Sequence, residues 1–283
     1  MQERKASCPN TKSLLGFKAT LAELRGVVEI WFRNYFRYPA WVIADIVTTP
    51  AWLILFIVPI LMFIPRERWQ DPTVLNVMFW AMVLWDVVSS GIWSFGMAIR
   101  REQQTGTLEV LFTTNASRAI LFSGGLCVRT LTMFMGVFYM YAFFITIFKV
   151  ELILFNPLGV LVSLVTGLVA ALGFGLIYGS LVLRFKNVGP LNNIIQFILL
   201  GICGVFVPVT ALPNPLRLIS YTLPFTYVAD LVRHHALKTE PLIPLVFEWL
   251  LLLAQTAIML ALGLFMLRKV ENRMKRTGGL GTY

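Results

Sequence analysis

Long apolar runs alternate with short polar breaks along this chain, and the spacing predicts six membrane-spanning helices, at about 43–64, 74–98, 126–148, 158–183, 188–211 and 244–267. A helix needs roughly 20 charge-poor residues to cross the hydrocarbon core. The fourth run, Leu158 to Leu183, carries no charge at all. The main polar break, Ile99 to Arg118, reads I-R-R-E-Q-Q-T-G-T-L-E-V-L-F-T-T-N-A-S-R between two such runs. The backbone leaves the membrane there, which makes it the natural place to touch a soluble partner.

Ahead of the first run, Leu14, Phe17, Leu21, Leu24, Val28, Trp31 and Tyr35 recur at steps of three and four, while Lys18, Arg25, Arg33 and Arg37 fall elsewhere around the helix. Such a basic amphipathic helix lies in the headgroup plane or packs on a soluble partner, and a span starting a few residues later favours the first. Pro39 lets the chain turn into the bilayer. After Phe206 the chain is too apolar for a free loop, yet Pro208, Pro213, Pro215 and Pro224 forbid one continuous helix. Two short helices, about 214–222 and 225–237, dipping into the outer leaflet and returning, fit both facts. The expected fold is therefore all-α and integral to the membrane. It divides into residues 1–41 with the interfacial helix, a six-helix domain at 42–267 with a polar segment at 99–118 and a re-entrant region at 209–240, and a basic tail at 268–283.

Composition agrees: 58% of the 283 residues are hydrophobic and 13% charged, with a mean hydropathy of +0.76. Of the 24 Lys and Arg residues, 18 fall before the first run, in the even-numbered connections or after the last run. Arg129 is counted in the second connection. Since basic loops stay cytoplasmic, both termini are expected inside. The net charge of +10 then follows topology and anionic inner-leaflet lipid rather than nucleic acid. The three cysteines are far apart and suggest neither disulfides nor a metal site. No signal peptide is evident, and the first span is expected to serve as an uncleaved membrane signal.

Few residues carry candidate chemistry. Asp86 stands about halfway along the second run and Asp45 near the entry of the first. An ionisable group at such depth is a functional candidate, but with no cationic residue evident at the level of Asp86 a packing role is equally open. Asn192, Asn193 and Gln196 open the fifth run and suit a substrate-facing wall or hydrogen bonds between helices. Gly167, Ala171, Gly175 and Gly179 form a four-residue ridge that lets another helix approach closely, with a neighbour in the same chain as the first choice. His234 and His235 read as interfacial polar residues rather than metal ligands. No P-loop, H-E-x-x-H or G-x-S-x-G sequence occurs, which argues against an ATPase or hydrolase on this chain.

Three stretches carry a resemblance: R-E-Q-Q-T-G-T-L-E-V-L from Arg101 to Leu111, T-N-A-S-R from Thr114 to Arg118, and the region from Gly201 to Arg233, with G-V-F-V-P-V-T-A-L-P and L-P-F-T-Y-V-A-D-L-V-R in it. In this order they resemble the membrane subunits of ABC type-2 exporters, which move drugs, lipids or polysaccharides outward. Two departures stand out: Asn115-Ala116 replaces a proline-containing pair, and Gly124-Gly125 stands where members commonly have Gly-Lys.

The resemblance implies a plasma-membrane assembly of two membrane subunits, this chain with a second copy or a homologue, and two cytoplasmic ATPases that hold ATP and Mg. This chain is then a transport subunit and not an enzyme, with no cofactor of its own. Glu102, Gly106, Thr107, Leu108 and Glu109 would couple it to the ATPase, with Ser117 and Arg118 at the exit of that element. Asp86, Asn192, Asn193 and Gln196 are assigned to the translocation pathway. The alternative is an ion-coupled carrier using Asp45 and Asp86, against which stands the lack of an internal repeat. The 22 Phe and 11 Met residues suit an adaptable path for amphiphiles but equally a lipid-facing surface.

Overall fold

The computed structural model describes residues 10–65, 69, 71–107, 110–111, 117–149, 151–184 and 189–277. Every regular element among them is helical. Helix α1 spans Asn10–Arg37 and α2 Pro39–Met62, with Tyr38 the only non-helical residue between them. Pro39 explains the break: its fixed φ suits the first turn of α2, and it disfavours helical geometry at the residue before it.

Helix α3, Pro72–Ser90, starts at an Asp71 cap whose carboxylate accepts from the Thr73 amide at 2.9 Å. It passes through a π-helical segment, Gly91–Gly96, and continues as α4, Met97–Thr105. The expected span at 74–98 therefore runs on as one rod into the polar break. Helix α5, Arg118–Phe143, ends in a second π segment, Phe144–Phe148. It begins about two turns before the apolar run does, because Ser117 sits in the extended geometry of a helix cap.

Helix α6, Pro157–Arg184, occupies the centre of the bundle, followed by α7, Gly189–Ile202. Two short helices, α8 (Asn214–Ser220) and α9 (Pro224–Leu237), precede the long α10, Leu245–Thr277. Among the described residues, four helical stretches are long and apolar enough to cross a membrane: Pro72–Glu102, Arg118–Thr146, Pro157–Arg184 and Leu245–Met274.

The ridge on α6 explains why it is central. Any Cβ at Gly175 would lie 2.7 Å from the Gly91 carbonyl, and one at Gly91 would strike the Ala171 carbonyl. Gly167 faces Val87 and Val228, and Gly179 faces Phe95 and Ile99. The ridge thus meets α3, the π segment and α9 of its own chain. On another face, Gly173 and Gly263 bring α6 and α10 into backbone contact. The bundle has a polar-break end, at α4 and Ser117, and a helix-pair end, at α8 and α9.

Candidate functional site

A cavity of about 160 Å³ opens where α1, α2, α3 and α5 meet. Its charged groups come from three helices. Tyr35, near the end of α1, donates its hydroxyl to the Asp45 carboxylate of α2 at 2.7 Å. Burial and then this hydrogen bond push the Tyr35 phenol above its ordinary value, so it stays protonated and donates. Asp86 of α3 accepts a hydrogen bond and ion pair from Arg129 of α5 at 2.6 Å.

The expectation that no cation lies level with Asp86 is therefore corrected, as is the placement of Arg129 in a connection. Eleven residues at 1.5 Å rise carry it about 16 Å along α5 from Arg118. The helix boundary hid this, because the apolar run by itself begins only near Leu126.

Aromatic rings line the same space. Trp85 packs on Phe56 at 4.5 Å between centroids and on Trp52 at 6.1 Å, and its outer faces meet Phe197 and Phe206. Met82, Met133, Met135 and Met140 supply flexible apolar wall.

Of the residues expected in a translocation pathway, Asp86 lines this cavity and Asn192, Asn193 and Gln196 do not. Gln196, 6% exposed, accepts from Trp93 Nε1 at 2.6 Å and donates to Ser89 Oγ at 2.7 Å. Asn192 accepts from the Tyr178 hydroxyl and donates to Met97 Sδ at 3.2 Å. These two amides join α7 to α3, the π segment, α4 and α6. Asn193 is exposed.

At the polar break, Gly106 takes φ +71° and ends α4, a left-handed residue that favours glycine. The Thr107 hydroxyl donates to the Glu102 carboxylate, and the Thr107 amide to the Glu102 carbonyl at 3.2 Å, so the chain folds back over the helix end. Leu108 and Glu109 lie outside the described residues.

The exit is clamped from two sides. The Ser117 amide donates to Glu23 of α1, and Arg118 pairs with Glu271 of α10 at 3.4 Å. Trp31 of α1 lies over Gly124 and Gly125, where a Cβ on Gly124 would strike the indole, and its Nε1 donates to the Leu121 carbonyl at 3.3 Å. Gly125 thus leaves room for the Trp31 ring, where a lysine is common in the family it resembles.

Glu23, Glu271, Trp31 and Arg129 were missed from sequence because each acts across 40 residues or more of chain. The one available signal was Gly124-Gly125, a gap in side-chain volume opposite an amphipathic helix with a tryptophan on its stripe.

Helices of this length and apolarity, with charge drawn inward between them, define a multi-pass membrane protein. The family model of the ABC-2 family transporter proteins matches residues 70–265, more than half of the chain, and the chain belongs to that family. It is an ABC type-2 permease component, a membrane subunit for transport. Among curated proteins, no match was found.

Proposed function

We propose that the chain is the permease subunit of an ATP-driven exporter, working with a second permease and two cytoplasmic ATPases that hold ATP and Mg, and moving an amphiphilic drug, lipid or saccharide outward. In this reading α2 and α7 join the four long apolar stretches as spans. Both termini and the polar break face the cytoplasm at the plasma membrane, and α8 and α9 dip into the outer leaflet and return.

The observation that carries the proposal is the clamp at Ser117 and Arg118. A loop serving only as a connection has no need of carboxylates from both α1 and α10 at its exit. A helix end held by Glu23 and Glu271 transmits a push from a docked ATPase into α5 and α10 together, and the Gly106 turn fixes how α4 meets the partner. Glu102, Gly106, Thr107, Leu108 and Glu109 would form the docking element.

The test is co-purification of an ATPase and its activity through a tag on this chain, native against a variant with Glu102 and Glu109 both changed to Lys. Loss of the ATPase with the chain still inserted supports the reading, whereas unchanged capture and transport removes the coupling assignment. The ion-coupled alternative draws on Asp45 and Asp86 sharing one cavity. Transport that survives ATP depletion but collapses with the ion gradient favours it.

A further inference from the structure

The helix-pair end holds an acid that the transport reading does not use. Glu248 lies in the first turn of α10 and is fully buried. We propose that Glu248 and Asp230 share one proton, which fastens α9 to the start of α10 and makes this end of the bundle sensitive to pH.

Hydrogen-bond stoichiometry calls for the proton. The Asp230 and Glu248 carboxyl groups stand within hydrogen-bonding reach across the interface of α9 and α10, and two ionised carboxylates have no hydrogen to place between them. No amide, hydroxyl or cation donates to either Glu248 oxygen. An ionised Glu248 would therefore be a buried charge without compensation, which is strongly unfavourable. Asp230 already accepts from the Leu242 amide at 2.8 Å, so Asp230 is the acceptor of the pair and Glu248 the donor.

No cation among the described residues takes the proton's place. Helix α10 packs chiefly on α6 and α9. Helix α6 carries no charge from Pro157 to Leu183, and its titratable Tyr178 donates to Asn192. On α9, Arg233 lies close enough to Asp230 to feel its charge, but it points its guanidinium at the Gly204 and Val205 carbonyls. His234 turns to the Thr239 carbonyl at 2.7 Å, and His235 meets Asn156 and the Trp249 ring. The Tyr227 hydroxyl, also near Glu248, donates to the Tyr221 carbonyl at 3.0 Å. Helix α3, which touches α9, has Asp86 as its one charge, and that pairs with Arg129. Between α9 and α10, Lys238 stands over the Phe155 ring at 4.2 Å and Glu240 is exposed. The next charge along α10 is Arg268, about 30 Å away at 1.5 Å rise per residue.

One proton in this position ties three pieces of chain. Asp230 holds the connection through Leu242 and holds α10 through Glu248. Removing the proton sets a second negative charge beside the first in a dry site, where like charges repel strongly. The first turn of α10 is then driven away from α9. The folded chain keeps a proton that an exposed glutamate has released at neutral pH, so raising the pH destabilises this end.

The test is thermal unfolding of the full chain in detergent from about pH 6 to about pH 9, paired with infrared spectroscopy. The native melting temperature should fall by about 5 °C or more across that range. Glu248→Gln keeps a donor for Asp230 but cannot titrate, so it should melt like native at the acid end and lose most of the slope. The infrared spectrum of the native chain at neutral pH should show the carbonyl stretch of a protonated carboxylic acid, which moves when glutamate is isotope-labelled at its side-chain carboxyl. Equal slopes in native and Glu248→Gln, or no such glutamic acid band, overturns the shared proton. Should Glu248→Gln fail to fold, the native band decides alone: it must disappear over the same pH range in which the melting temperature falls.

A metal cation is the other species that two acids can hold, and it gives a different pattern. Exchanging N-methylglucamine chloride for sodium or potassium chloride at fixed pH should leave the native melting temperature unchanged. A rise with either metal ion that Glu248→Gln abolishes, without the acid band, overturns the proton in favour of the cation. The exporter reading stands or falls separately, on ATPase capture and transport.

Discussion

Two of the places where the described residues carry charge between helices handle it differently. At the helix-pair end, Arg233 is 7% exposed and directs its guanidinium to the backbone carbonyls of Gly204 and Val205. Asp230 accepts from the Leu242 amide at 2.8 Å, and Glu248 is fully buried at the start of α10. At the cavity, Asp86 and Arg129 keep about a third of their side chains exposed. Arg233 and Asp230 fasten backbone turns, with Glu248 buried beside Asp230, while Asp86 and Arg129 line open space. Burial alone does not separate the two kinds of charge, but the kind of partner does: backbone for Arg233 and Asp230, another side chain across a cavity for Asp86.

The comparison would break most visibly at Arg233. Arg233→Met strips the guanidinium from two carbonyls in a dry site, and leaving buried acceptors unsatisfied costs about 1–3 kcal/mol each. We expect the largest loss of thermal stability here, several kcal/mol in detergent, and a melt no lower than that of Arg129→Met would remove the distinction. Arg129→Met at the cavity should lower stability by about 1 kcal/mol, because cavity water screens the orphaned Asp86. Its effect on transport should exceed its effect on melting. Gly124→Leu falls between these two in stability: the new side chain displaces Trp31, at roughly 1–2 kcal/mol of overpacking. Limited proteolysis should then cut α1 faster while the helix-pair end stays protected.

Much of this organisation was legible in the chain, and the illegible part has a common cause. Apolar runs mark long helices because lipid tolerates little else over that length. Pro213, Pro215 and Pro224 mark where α8 and α9 begin, since proline is accommodated in a first turn. The ridge on α6 was readable because four-residue spacing puts small residues on one face. Arg129 was misplaced because the start of α5 is set by Ser117 together with Glu23, 94 residues earlier in the chain. Asn192 and Gln196 were visible as polar residues, but their partners Tyr178, Trp93 and Ser89 could be found only in three dimensions.

The smallest expected effect bears on how α1 closes the cavity. Tyr35→Phe keeps the ring and removes only the hydroxyl that Asp45 accepts at 2.7 Å. A hydrogen bond to a charged acceptor contributes about 1.5 kcal/mol or more when water cannot replace it, and less where it can. Asp45 lines an open cavity, so water takes the vacated position and the melting temperature should fall by only a few degrees. A drop in stability as large as that of Arg233→Met would place Tyr35 and Asp45 with the structural group at the helix-pair end, and the division between fastening charge and cavity-lining charge would have to be redrawn along α1.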